Sequence, residues 1–250
     1  MDVAHLALIA LAALVAGAVN AIAGGGSLLT FPTLVAFGLP PLVANITNTV
    51  ALCPGYVGAT FAQRRELVGQ GGRIVRLLPF ALAGSVVGAW ILLHTSEKSF
   101  QIVVPFLLVF AAGLLAAQSK LRAFLRGRSG VAHSVAFGLV PIGLAAIYGA
   151  YFGAGLGVII LATLAVTVDD TLLRMNALKQ LLSLVINLYA AIVYIIDGRI
   201  DWTVAGAVAV GSLVGGVAGG KLASRIPEAW LRWSAITIAL AVSAVYFARL

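Results

Sequence analysis

The residues in this chain that could do chemistry fall in two polar patches, each downstream of a glycine cluster. The first cluster is Gly24, Gly25 and Gly26, followed by Ser27 and then by Asn45, Thr47, Asn48 and Thr49. The second is Gly153, Gly155 and Gly157, followed by Asn176, Lys179 and Gln180. Hydroxyls, amide N–H groups and one ammonium are hydrogen-bond donors with a single fixed positive charge, a set that suits the oxygens of a sulfonate or carboxylate. Catalysis is not expected from these residues. A serine nucleophile in Gly-Gly-Gly-Ser needs a base within hydrogen-bond reach. His5, His94 and His133 all fall near expected helix ends, and the second copy has Gly157 where the first has Ser27. No His, Cys, Asp or Glu cluster has metal-ligand spacing, so neither a metal nor a cofactor is expected.

The elements that must hold these patches are membrane helices. Apolar residues make up 62% of the chain and charged residues 10%, far below the roughly one quarter charged of a soluble domain. Runs of about 20 apolar residues, the length that crosses a bilayer, fill nearly the whole sequence and leave no room for a separate soluble domain. The net charge of +8 does not point to nucleic acid, because the basic residues sit in short loops where orientation in the bilayer accounts for them. Cys53 is the only cysteine, so no intrachain disulfide can form.

Both patches belong to a stretch that occurs twice, 23–49 and 153–180. Aligning Gly25 with Gly155 and Asn45 with Asn176 takes a one-residue gap, and Gly84-Ser-Val-Val-Gly88 echoes Gly211-Ser-Leu-Val-Gly215. The expected organisation is a first transmembrane repeat over 1–117, a basic linker over 118–130 and a second repeat over 131–250. In the first repeat, a helix over His5–Ile22 breaks at Gly24–Gly26, since each glycine costs roughly 1 kcal/mol relative to alanine in a helix. Ser27 is the expected N-cap of a short helix ending before Gly38-Leu39-Pro40-Pro41. Leu42–Ala62 carries the polar patch, and Pro54-Gly55 predicts a kink or second break. A polar loop over 63–76 precedes helices over 77–93 and 100–117. The second repeat has a break at 152–157, a turn at Asp169-Asp170 that can cap the next helix, and helices over 175–196, 202–222 and 229–247.

Equivalent loops exchange charge. Residues 63–76 carry Arg64, Arg65, Arg73 and Arg76, whereas their counterpart 197–201 is net acidic; His94–Ser99 has one lysine, whereas its counterpart region carries Lys221, Arg225 and Arg232. By the positive-inside rule the two repeats are inverted, with loops 63–76 and 118–130 cytoplasmic. Inversion needs an odd number of crossings per half. The segment after each glycine break therefore either spans fully or forms a re-entrant hairpin with the start of the polar-patch helix, giving about 8–10 transmembrane or re-entrant segments in an all-α polytopic protein.

Asn20-Ala-Ile-Ala-Gly-Gly-Gly-Ser27, Pro32, the Ala-Asn-x-Thr-Asn-Thr patch at 44–49, Gly-x-Gly-x-Gly at 153–157 and Asn-Ala-x-Lys-Gln at 176–180 resemble the sulfite exporter TauE/SafE family over essentially the full length. The resemblance implies a multi-pass inner-membrane transporter of sulfur-containing anions such as sulfite, sulfoacetate and other organosulfonates. It leaves the particular anion open.

The physical chemistry of a broken membrane helix agrees with an anion. The new half-helix exposes unpaired N–H groups and the positive end of its dipole, about half a charge, and glycine lets an oxyanion approach the backbone. The competing readings are structural. Glycine clusters serve helix packing, expected for Gly84, Gly88, Gly211, Gly215, Gly216 and Gly220. Membrane Asn and Thr bond to neighbouring helices, and Lys179 lies near enough to Arg174 to snorkel to the surface. The expectation is a carrier exporting a small anion by alternating access around the fourteen residues named at the outset, with an anion channel or a non-transporting scaffold as alternatives. The expected partners are the bilayer and the anion; a homodimer is allowed, and nucleic acid is excluded.

Overall fold

The structure, a computed structural model, describes residues 2–22, 24–126, 135–222 and 228–248, with side chains described outside 119–126, 222, 228–232 and 234. Among the described residues it is all helical, with α1 (Val3–Ile22), α2 (Ser27–Ala36), α3 (Pro41–Ala62), α4 (Gly71–Leu93), α5 (Glu97–Arg126), α6 (Val135–Tyr151), α7 (Leu156–Thr167), α8 (Leu172–Asp197), α9 (Trp202–Leu222) and α10 (Glu228–Phe247). Five of these, α1, α4, α5, α8 and α9, are long and apolar enough to cross a membrane. The long helix α3 is not among them, because its asparagines and threonines dilute its apolar residues.

Both glycine clusters break the chain where expected, and both breaks make hairpins. Gly24 takes φ +89° and donates to the Val19 carbonyl five residues back at 3.0 Å. Gly153 takes φ +78° and donates to the Tyr148 carbonyl at 3.2 Å. By backbone role Gly24 corresponds to Gly153, one position off the Gly25–Gly155 alignment. After each turn the short helix folds back along the one before it. A Cβ on Gly26 would strike the Ala16 carbonyl, and the Phe37 ring meets His5 edge-on with centroids 5.1 Å apart. Equal steps forward along α2 and back along α1 make the pair antiparallel. The same holds for α6 and α7, where Gly149 lies against Leu156 and Gly138 against Thr167. The short segment therefore returns along the helix before the break, not along the start of the polar-patch helix as the hairpin scheme has it.

End-to-end bonds orient the remaining helices. At one end Asn176 Nδ2 donates to Gln63 Oε1 at 2.8 Å and Gln70 Nε2 to the Arg174 carbonyl at 3.0 Å, which joins the end of α3 to the start of α8. At the other, the Leu42 amide donates to Glu97 Oε1 at 3.2 Å, the Asp201 amide to Thr47 Oγ1 at 3.1 Å and Arg199 to the Leu93 carbonyl at 3.4 Å. Helices α3 and α8 thus run antiparallel through the centre.

Small residues let the helices around them close up. Gly211, Gly215 and Gly219 of α9 sit against Ala10, Leu14 and Ala18 of α1; Gly216 and Gly220 face Gly55 and Ala59 of α3; Gly84 and Gly88 of α4 sit on Gly143 and Ile147 of α6. Most of these glycines approach a carbonyl so closely that a Cβ would collide with it, which is the packing role expected for them.

Several local expectations change. Gly26 occupies the N-cap of α2 and Ser27 is its first residue, with no side-chain cap bond, so Ser27 does not cap. No second break occurs at Pro54-Gly55; α3 is continuous. Thr171, not Asp169 or Asp170, caps α8, accepting from the Arg174 amide at 3.3 Å. The polar loop is shorter than 63–76, because α4 begins at Gly71 and takes in Arg73 and Arg76. Helix α5 continues to Arg126 through most of the expected linker 118–130. Residues 127–130, His133, Arg225, and the side chains of Lys120, Arg122, Arg126, Arg128 and Arg232 lie outside the described residues.

Candidate functional site

The two hairpin turns meet. A Cβ on Gly24 would lie 2.8 Å from the Gly157 Cα, and one on Gly157 would lie 2.7 Å from the Gly24 Cα and 3.3 Å from Lys179 Cδ. The clusters therefore touch backbone to backbone, which only glycine on both sides permits. Gly25 and Gly155 face away from this contact, towards Leu115 and Ala111, one turn apart on α5. Lys179 is 0% exposed, so it does not snorkel. Its Nζ donates to the Asn20 carbonyl at 3.4 Å. That carbonyl belongs to the last turn of α1, where the negative end of the helix dipole favours a cation.

The polar side chains follow the competing reading and bond to neighbouring helices, and the groups they reach are the carbonyl ends of the broken ones. Gln180 Nε2 donates to the carbonyls of Asn20 at 3.1 Å and Ala21 at 2.9 Å, and Asn176 Nδ2 to Ala21 at 3.2 Å. Across the molecule Asn45 Nδ2 donates to the Tyr151 carbonyl at 2.9 Å, and Tyr194 to that of Ala150. These are the carbonyls that a helix end leaves without intrahelical partners, and inside a membrane they must be satisfied by protein. Each half thus supplies an asparagine that closes the C-terminal turn of the other half's broken helix. Thr49 bonds to the Asn45 carbonyl at 2.9 Å within α3, and Thr47 is committed to Asp201 at the molecule's end. The turns bring together Gly24, Gly157, Lys179, Gln180 and Asn176; Asn45 lies at the end of α6, with Thr49 bonded to its carbonyl.

A family model described as Sulfite exporter TauE/SafE matches residues 9–246. The chain belongs to the sulfite exporter TauE/SafE family. It is 25% identical over 233 residues to the "Probable membrane transporter protein YfcA" of Escherichia coli (strain K12), covering 93% of this chain and 86% of that one. The "Probable membrane transporter protein" of Haemophilus influenzae is 26% identical over 217 residues (87% and 84% covered), and "Probable membrane transporter protein ORF9" of Sinorhizobium sp 28% over 223 residues (87% and 83%). No solved structure matches. This TauE/SafE chain is a multi-pass membrane transporter, a non-enzymatic class, and among its described residues no group of His, Cys, Asp and Glu could hold a metal.

Sequence reasoning missed four polar residues of this TauE/SafE centre. Asn20 Oδ1 accepts from the Gly26 amide at 3.2 Å, pinning the start of α2 to α1. Tyr56, 4% exposed, faces the side chains of Asn20 and Asn187, and Gln63 receives Asn176. The signal was periodicity. Asn45, Thr49, Cys53, Tyr56, Thr60 and Gln63 step by three or four along α3, as do Asn176, Gln180, Ser183 and Asn187 along α8. Such steps draw a polar stripe down one helix face.

Outside the spans, Asp170 pairs with Arg73 of α4 and with Arg174 of α8 at 3.0 Å. Burial pushes its carboxyl up, but hydrogen bonds from Arg73, the Thr171 amide and Arg174 outweigh that and hold it below the usual carboxylate range. This pair ties the first half to the second at the arginine-rich end.

Proposed function

We propose that the protein exports a small sulfur-containing anion, sulfite or an organosulfonate such as sulfoacetate, across the inner membrane by alternating access around the meeting point of the two hairpins. The observation that carries this reading is the buried ammonium of Lys179 beside the Gly24–Gly157 contact. A full charge at a helix centre costs about 2.5–3.5 kcal/mol by insertion scales, and such residues mark ion pathways. An oxyanion here meets Lys179 and the backbone N–H groups that start α2 and α7. The fourteen residues divide accordingly. Gly24, Gly157 and Lys179 form the anion cradle and Gly25, Gly26, Ser27, Gly153 and Gly155 shape the turns that present it, while Asn45, Asn176 and Gln180 brace the helix ends behind it and Thr47, Asn48 and Thr49 complete the polar face of α3.

The transport cycle follows from inverted repeats, 1–117 and 131–250, rocking about the fixed centre. Antiparallel α3 and α8, paired hairpins and reciprocal asparagine caps support that symmetry. Arg64, Arg65, Arg73, Arg76, Arg174 and Lys221 gather at one end, against Lys98 and Arg199 at the other, which supports a cytoplasmic arginine-rich end including 118–130.

Flux of labelled sulfite and of a small organosulfonate in proteoliposomes tests this. Saturable flux in wild type that is lost in folded Lys179→Ala is the expected result. Saturable flux indifferent to Lys179→Ala removes the cradle and keeps the carrier, and non-saturable flux favours a channel. Absence of flux for both anions in folded protein removes the substrate class.

A further inference from the structure

The two polar patches differ in charge: the second holds an ammonium, and the first holds no charged group. With the two asparagines aligned, the position of Lys179 in the second patch is held by Asn48 in the first. Asn45 and Asn48 lie one turn apart on α3 and are 1% and 2% exposed. Both amide oxygens, Asn45 Oδ1 and Asn48 Oδ1, are buried without a hydrogen-bond partner, as are Asn176 Oδ1 and Gln180 Oε1 in the second patch, where Lys179 already supplies a fixed cation. The orientation of Asn45 is fixed chemically. Its neighbour is the Tyr151 carbonyl at 2.9 Å, an acceptor, so the amide nitrogen must face that carbonyl and the oxygen must face away. An unsatisfied buried acceptor is costly, and two on one helix turn are an acceptor set in search of a donor or a cation.

We propose that this patch binds a monovalent cation, sodium, that travels with the anion. Sodium is a hard ion that takes amide, hydroxyl and backbone carbonyl oxygens, as hard cations do generally. The end of α6 adds the negative end of a helix dipole at Tyr151, and broken-helix C-termini serve cations as the N-termini serve anions. The scaffold thus holds one fixed positive charge at Lys179 and, in the mirror position, a place for a second that comes and goes. A cation entering with each anion offsets one negative charge of the cargo, which lowers the cost of moving charge across the membrane. The coupling rests on the anion reading above; the cation site itself does not.

Binding of radiolabelled sodium to purified protein in detergent, with no anion substrate present, tests the site. The expected result is saturable binding in wild type, displaced by unlabelled sodium and not by choline. Asn48→Ala, confirmed as folded by monodisperse elution and cooperative thermal unfolding, raises the half-saturating sodium concentration at least about tenfold. Asn48→Asp retains binding, because it keeps an oxygen at that position. If Asn48→Ala does not fold, Asn48→Leu, of similar volume and without an oxygen, replaces it, with the same weakening expected. No saturable sodium binding in wild type overturns the proposal, as does unchanged affinity in the folded variant. Sodium binding without sulfite flux leaves this site standing and removes only the anion class, so the two failures are distinguishable.

Discussion

The halves α1–α5 and α6–α10 share a helical hairpin, a glycine break and an asparagine cap on each other's broken helix, yet they differ where charge is concerned. Asn48 stands in the first where Lys179 stands in the second, and the loop beyond α3 is arginine-rich where the loop beyond α8 is net acidic. The two halves have the scaffold in common and differ in chemistry. The shared features serve backbone needs that are the same in both halves, namely a turn, a close approach and satisfied carbonyls. The differing features are a buried ammonium and the charges of the loops, which the backbone does not require.

The largest effect should come from breaking what the halves share. Gly24→Ala puts a Cβ 2.8 Å from the Gly157 backbone at a left-handed φ, and Gly157→Ala does the same from the other side without the φ penalty. Each should cost about 3 kcal/mol or more, or abolish folded protein, as read by thermal unfolding in detergent. Gly38→Ala is the control. Its φ is +96° but nothing lies within 4 Å of the new Cβ, so only the backbone cost of about 1–2 kcal/mol remains. Equal losses at Gly24 and Gly38 would mean that the contact between hairpins contributes nothing.

Next comes the difference itself. Lys179→Asn gives both halves the same residue at this position and should lower sulfite flux about a hundredfold, the scale of removing one buried charged partner. Normal flux from folded Lys179→Asn protein would show that the asymmetry between patches is irrelevant to transport.

The caps should respond more modestly and alike. Asn45→Leu strands the Tyr151 carbonyl, while Asn176→Leu leaves Ala21 its bond from Gln180. Loss of about 1–3 kcal/mol is expected for Asn45→Leu and the lower end of that range for Asn176→Leu, by chemical denaturation in mild detergent. A larger loss at Asn176 would contradict this accounting.

Much of this was legible in the chain. The helix over 202–222 and the two breaks follow from apolar length and glycine content, which act locally. The N-caps were misread because Ser27 and Asp170 have suitable chemistry but not the suitable backbone position, and one residue decides a cap. The sequence left open whether Pro54-Gly55 kinks or breaks α3, because the packing on α9 that keeps the helix continuous is not visible locally. The role of Asn45 and Asn176 was hidden for a different reason. Their partners lie 106 and 155 residues away, and only the fold reveals that an amide suited to an anion is already bonded to a carbonyl.

The smallest effect concerns the two ends of the molecule, and pH separates them. Asp170 bridges the halves through Arg73 and Arg174, with its side chain 14% exposed, whereas Asp197 pairs only locally with Arg199, itself 37% exposed. Asp170→Asn should cost about 1 kcal/mol near neutral pH and Asp197→Asn a few tenths. Because the folded-state pKa of Asp170 is depressed, its contribution is fully present above the unfolded carboxylate value of about 3.9. It is lost as pH falls below that value and through the folded one. Stability of wild type and Asp170→Asn should therefore converge on acidification below about pH 4. A gap between wild type and Asp170→Asn that persists into that range would mean the loss comes from altered packing at the α4–α8 junction and not from the carboxylate charge.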